Sequence, residues 1–177
     1  MSERLYALLA DFDTPEALVV AAERAFAAGY RRMDAFSPFP VEGLSEALGQ
    51  RPSRVPAIVL IAGILGGAGG YLMQYWMNAF DYALNIGGRP PHSWPAFIPV
   101  TFEMTVLIAA VVGVIGMFAL NRLPMPYHPV FNAPHFDRAT HDRFFLAIEA
   151  DDPQFDREKT AAFLASLGAI QVAEAPE

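Results

Sequence analysis

The chain has 177 residues, no cysteine, and 19 acidic against 12 basic side chains, a formal net charge of −7 at neutral pH. An acidic protein lacks the basic footprint that phosphate binding requires, so no nucleic acid is expected as a partner. The missing thiols exclude a disulfide framework, thiolate iron–sulfur ligation and covalent c-type haem attachment within this chain.

Charge is also unevenly placed. Residues 1–55 hold 6 basic and 8 acidic side chains, residues 56–121 hold 1 and 2, and residues 122–177 hold 5 and 9. Two acidic ends therefore enclose an almost uncharged middle. The opening MSERLYALLADFDTPEA has no basic stretch followed by an apolar run and a small-residue cleavage site, so no secretory signal is expected.

The first expected element is a buried strand in RLYALLADF. Thr14 then offers an N-cap and Pro15 a first helical position, and residues 17–28 carry a helical apolar pattern closed by Gly29. YRRMDAF reads as a second strand, and SPFPVEGLSEALG as a turn with one short helix.

From Val55 to Phe80, 26 residues pass without a charge, which is enough for a hydrocarbon core needing about 20 helical residues. A second such run extends to Leu120 from about Trp94 or Phe97. The spans are placed at about 56–80 and 95–120, joined by a Gly- and Pro-rich turn. Burying both runs in a soluble core is not feasible at this length. The middle third is therefore read as a transmembrane hairpin in a lipid bilayer. Arg51, Arg54 and Arg122 flank the spans, against Arg89 alone in the turn. The positive-inside rule then places both termini in the cytoplasm.

Several intramembrane residues stand out. Gly63, Gly67 and Gly70 recur at helical spacing, with G-x-x-x-G at Gly63/Gly67 and Gly66/Gly70, and Gly113 and Gly116 offer small surfaces on the second span. Such residues let helices approach closely, either within this hairpin or against another subunit. Tyr75, Trp76, His92 and Trp94 fall where aromatic and polar rings favour the outer membrane interface. Glu103 is the single charge between Ser93 and Arg122. A carboxylate in hydrocarbon costs roughly 2.5–3.5 kcal/mol on insertion scales, so Glu103 is a candidate for helix pairing or for a proton path.

After the membrane, RFFLAIEA reads as a strand, DDPQ as a turn, FDREKTAAFLASLG as a capped helix and AIQVAEA as a strand. Each end is βαβ and neither buries its helix alone. Together they predict an α+β membrane protein in which a ferredoxin-like βαββαβ domain, residues 1–54 and 122–177, carries the hairpin of residues 55–121 inserted between its halves.

No residue set suggests catalysis. His128, His135 and His141 are spaced by seven and six, which matches no compact metal site, and their Pro- and Asn-rich context reads as a surface connection. Asp11, Asp13, Asp151 and Asp152 sit where strands end, and turn formation or helix-dipole compensation accounts for them. No catalytic, cofactor-binding or metal residues are therefore assigned. The chain alone is not expected to be an enzyme.

DAFSPFPVEGLSEALG, DYALNIGGRPPHSWPAFIPVTFEMTVL, ALNRLPMPYHPVFN and DRFFLAIEADDPQFDREKT together resemble the ActD family, the small two-span subunit of alternative complex III. The resemblance runs from about Leu5 to Gly168. Position 42 is Glu where the family pattern often has histidine, so no shared chemistry is assigned there. The resemblance implies a cofactor-free accessory subunit of a quinol:electron acceptor oxidoreductase in the respiratory chain of a bacterial inner membrane. The implied partners are a multihaem cytochrome c, an iron–sulfur subunit and ten-span quinol-binding subunits, with c-type haems and clusters on those partners. The competing expectation is a stand-alone membrane sensor or transporter accessory whose ferredoxin-like domain binds a ligand.

Overall fold

A computed structural model describes residues 4–85 and 87–177. The chain divides into two compact units, one built from both ends, up to Arg51 and from Pro126 on, and the other from Pro52–Met125.

The unit built from the ends is a four-stranded antiparallel sheet with helices. Its strands are β1 (Leu5–Phe12), β2 (Met33–Phe36), β3 (Phe144–Glu149) and β4 (Gln171–Pro176), in the spatial order β2-β3-β1-β4. The register sets Leu8 opposite Ile148, Ala10 opposite Leu146 and Phe12 opposite Phe144. Side chains alternate across a strand, so these six residues share one face. That face is buried under α1 (Pro15–Ala27) through Leu18, Ala21, Ala22 and Ala25, and under α5 (Arg157–Ser166) through Leu164.

Local chemistry fixes both helices. The Thr14 hydroxyl accepts the Ala17 N–H at 3.2 Å, and Pro15 occupies the first turn, where its missing N–H costs nothing. Gly29, at φ 106°, ends this helix in a conformation that L side chains rarely adopt. Asp156 caps α5 by accepting the Lys159 N–H at 2.9 Å. The short α2 (Leu44–Ala47) packs against α1.

The opposite face of the sheet is covered as well. Ala7, Leu9, Phe145, Ala147 and Ala175 are buried against Val130, Ala133, Phe136 and Ala139. Those last four lie in and around two 3-10 turns, Pro129–Asn132 and Phe136–Thr140. The segment expected to run over the surface is thus the second lid of the sheet. Burial on both faces explains why the two central strands read as near-continuous apolar runs and not as alternating ones.

The second unit is a helical hairpin. The helix α3 (Val55–Trp76) continues through a π-helical turn, Met77–Asp81, and α4 spans Trp94–Leu120. Both stretches, Val55–Asp81 and Trp94–Leu120, are 27 residues long, enough and apolar enough to cross a membrane. Their outward side chains are large and apolar: Leu60, Ile64, Leu65, Leu72, Phe102 and Ile115 are all exposed. In water such a surface would be a liability. In a bilayer it is the expected exterior.

Candidate functional site

The hairpin is held by small residues. On α3, Ala62, Gly63, Gly66, Gly67 and Gly70 are its buried residues. A Cβ built on Gly66 would meet the Ile108 Cβ and the Met104 carbonyl oxygen, both at 2.7 Å. One on Gly67 would meet the Thr105 hydroxyl at 2.5 Å, and one on Gly70 the Met104 Cβ at 2.8 Å. Gly63 is less tight, with Ala109 and Thr105 at 3.6 Å. From the other helix, Gly113 faces Val59 at 3.0 Å and Gly116 faces Ile58 at 3.2 Å. All five glycines singled out in the sequence therefore lie between α3 and α4, in the intramolecular interface. Gly66, noted only within its G-x-x-x-G pair, makes the closest approach to backbone.

A polar crossing at this interface was not anticipated. Gln74 donates through Nε2 to the Gly70 and Phe97 carbonyls, both at 3.1 Å, and to the Thr101 hydroxyl at 3.3 Å. The Thr105 hydroxyl donates to the Thr101 carbonyl at 2.8 Å. An amide four residues after Gly70, inside an apolar run, is the available signal, because a polar side chain away from water needs partners.

At the turn end of the hairpin, the Tyr71 hydroxyl and His92 Nε2 are 2.6 Å apart. The Tyr75 ring meets the His92 ring edge to face at 5.0 Å, and Tyr71 meets Phe97 at 5.7 Å. Trp76 and Trp94 remain exposed, Trp76 beside Phe80 at 5.2 Å. The four residues expected at an outer interface thus sit at one end of the hairpin, two of them in a ring cluster around His92.

Glu103 lies on a different surface from the glycines. The side of α4 that meets α3 carries buried Phe97 and half-buried Thr101, Met104, Thr105 and Ile108. Glu103 is two residues from both Thr101 and Thr105, roughly 200° around the helix, and is exposed. Among the described residues it makes no hydrogen bond or ion pair.

In the sheet unit, His128 and several carboxylates make structural contacts. His128 Nδ1 accepts the Val130 N–H at 3.3 Å, capping a 3-10 turn. With Nδ1 accepting, the proton of the neutral ring is assigned to Nε2, which lies 3.3 Å from the Tyr6 hydroxyl. That hydroxyl donates on to the Glu149 carboxylate at 3.5 Å. Burial, then the charges of Glu149 and Asp34, push Tyr6 above the usual phenol range. Among the described residues, no group of three or more histidine or carboxylate side chains is placed to hold a metal.

The four aspartates at the strand ends are tied down individually. Asp11 accepts the Gln171 N–H at 2.6 Å, Asp13 pairs with Arg143, and Asp151 pairs with Arg32 at 3.4 Å. Asp152, only 5% exposed, accepts the N–H groups of Arg31 at 2.7 Å, Arg32 at 2.8 Å and Gln154 at 2.9 Å. Burial alone would raise it. The three N–H groups and the Arg32 charge outweigh that and hold Asp152 below the usual carboxylate range. The same unit has an open groove of about 480 Å³ beside α1, lined by Pro15, Glu16, Val19, Val20, Phe39 and Glu42 among others.

The chain combines an α/β unit carrying a four-stranded antiparallel sheet with two helices long and apolar enough to span a membrane. Residues 6–174 match the model of the family described as "Alternative complex III, ActD subunit", and the chain belongs to that family. It is accordingly a subunit of alternative complex III, with partner subunits of that complex. No curated protein matches the sequence.

Proposed function

We infer that the chain is a non-catalytic, cofactor-free accessory subunit that anchors and docks within a membrane-bound quinol-oxidising electron-transfer complex. The observation that carries this reading is the family match over residues 6–174, joined to a hairpin whose outer faces are apolar along both helices. The haems and iron–sulfur clusters reside on partner subunits, because a cysteine-free chain supplies no thiolates for them.

The two helices cross the bacterial inner membrane as residues 55–121, and the ends form one cytoplasmic domain from residues 1–54 and 122–177. The order β2-β3-β1-β4, antiparallel throughout and with α1 and α5 on one face, supports a ferredoxin-like domain into which the hairpin is inserted. Arg51, Arg54 and Arg122 against Arg89 support the cytoplasmic placement. Docking falls to the outer faces of the hairpin, since Gly63, Gly67, Gly70 and Gly116 are occupied within it, while Gly113, against Val59, also lines an outward groove.

For Glu103, helix pairing has better support than a proton path through this chain. Its neighbours one turn away, Pro99, Val100, Val106 and Leu107, carry no titratable group, so a proton route would have to be completed by another subunit. A sensor or transporter-accessory role has the groove beside α1 in its favour.

Native gels of membranes from cells lacking this chain, stained for haem, separate the two readings. A subunit role predicts loss or downshift of a large haem-bearing assembly. An unchanged haem pattern would favour the ligand-binding role.

A further inference from the structure

Beyond the general docking role, the hairpin carries one surface whose partner can be specified. An open apolar groove of about 550 Å³ runs along α3 and α4 and is lined by Val59, Val106, Ala109, Ala110, Gly113 and Met117, among others. Its α4 floor is small, through Ala109, Ala110 and Gly113, which lets a third helix approach closely. Val106 and Ala110 lie three and seven residues beyond Glu103, so the carboxylate stands on the same helical stripe, one turn from the groove.

Glu103 is nine residues into α4, about 14 Å from its start at 1.5 Å per residue. That depth is well inside the apolar stretch. The basic side chains between positions 56 and 121 are Arg89 and His92, both in the turn before α4, so the hairpin itself supplies no cation at the depth of Glu103. An unpaired carboxylate facing lipid there is unfavourable, and intramembrane acids characteristically face a protein interior and pair.

The geometry points to a transmembrane helix of another subunit seated in this groove, presenting a basic side chain, Lys, Arg or His, to Glu103. This rests on the reading of the chain as a membrane-complex subunit. Charge complementarity selects the basic donor. The small-residue floor selects a helix over a lipid tail.

The test uses the intact complex, purified through a tag on this chain. Co-purification of partners with the unaltered chain tests the subunit reading, and the variants test only the pairing. Glu103→Leu and Glu103→Gln should each speed dissociation of the chain from its partners in mild detergent by about thirtyfold or more, whereas Glu103→Asp should hold. Independently of any change at Glu103, a benzoylphenylalanine photo-crosslinker at position 110 should couple to one partner helix that contains a basic residue. Retention of Glu103→Leu at the parent level, or adducts at position 110 with lipid alone, would overturn the inference. Parental retention of Glu103→Gln with loss of Glu103→Leu would exclude a basic partner in favour of a neutral donor. Adducts with a second copy of this chain would likewise contradict it.

Discussion

Replacing Gly66 by alanine adds one methyl group where the two helices are closest. The new Cβ would sit 2.7 Å from the Ile108 Cβ and 2.7 Å from the Met104 carbonyl oxygen. Carbon atoms prefer about 3.5–4.0 Å, so relief requires the helices to part by roughly 1 Å. Backbone cannot rotate away as a side-chain tip can, so the separation loosens the contacts at Gly67 and Gly70 too. Overpacking of this kind costs about 1–3 kcal/mol. At about 4–8 °C per kcal/mol for a unit of the hairpin's size, Gly66→Ala should lower its melting by about 8–16 °C for a cost near 2 kcal/mol. Gly69→Ala is the matched control, because a Cβ there meets nothing within 4 Å. The assay is thermal unfolding of the full chain in mild detergent, followed by tryptophan fluorescence. Both tryptophans, Trp76 and Trp94, belong to the hairpin, so the signal reports that unit alone. Equal melting of the Gly66 and Gly69 variants would refute the claim that glycines set the helix separation.

Asp152→Ala leaves three N–H groups without their carboxylate and should destabilise the sheet unit by about 3 kcal/mol, measured by urea unfolding. Asp152 is held below the ordinary carboxylate range when folded, so its contribution is complete above about pH 4 and is lost as pH falls through the lowered value. Asp152→Asn should therefore flatten the acid limb of a stability–pH profile, and an unchanged limb would contradict this. Thr160→Val removes the hydroxyl that accepts the Asp156 N–H and bonds the Tyr30 hydroxyl at 3.1 Å, and should cost about 1–2 kcal/mol. For topology, the cysteine-free background allows single thiols at Pro90 and Ala165 to be labelled in intact cells with an impermeant maleimide. Position 90 should react and position 165 should react only after permeabilisation, and the reverse pattern would invert the proposed orientation.

The sequence shows the elements more readily than the surfaces they share. Thr14, Pro15 and Gly29 mark α1, and the uncharged run from Val55 marks α3, because caps and hydrophobic length are local properties. What covers each sheet face is not local. The residues between His128 and Asp142 look like a Pro- and Asn-rich connection, yet Val130, Ala133, Phe136 and Ala139, each three residues from the next, form a lid. A spacing of three is the period of a 3-10 turn, and it matches neither the 3.6-residue helical pattern nor the alternating strand pattern by which buried faces are usually read.

The hairpin shows the same division. Small residues at helical spacing signal close packing, but only the three-dimensional pairing distinguishes Gly66, against backbone, from Gly69, against nothing. Glu103 is conspicuous in sequence as a lone charge, while its direction depends on which side of α4 the other helix takes. Gln74 stands out in sequence as an amide within an apolar run, but its role follows only once Phe97 and Thr101 are known to face it.

The most direct test of the central claim is a tagged purification of this chain from native membranes in mild detergent, read by a reduced-minus-oxidised spectrum. The account predicts a c-type haem spectrum carried by co-purifying subunits, at constant haem per tagged chain across successive columns. A colourless preparation containing this chain alone would contradict it.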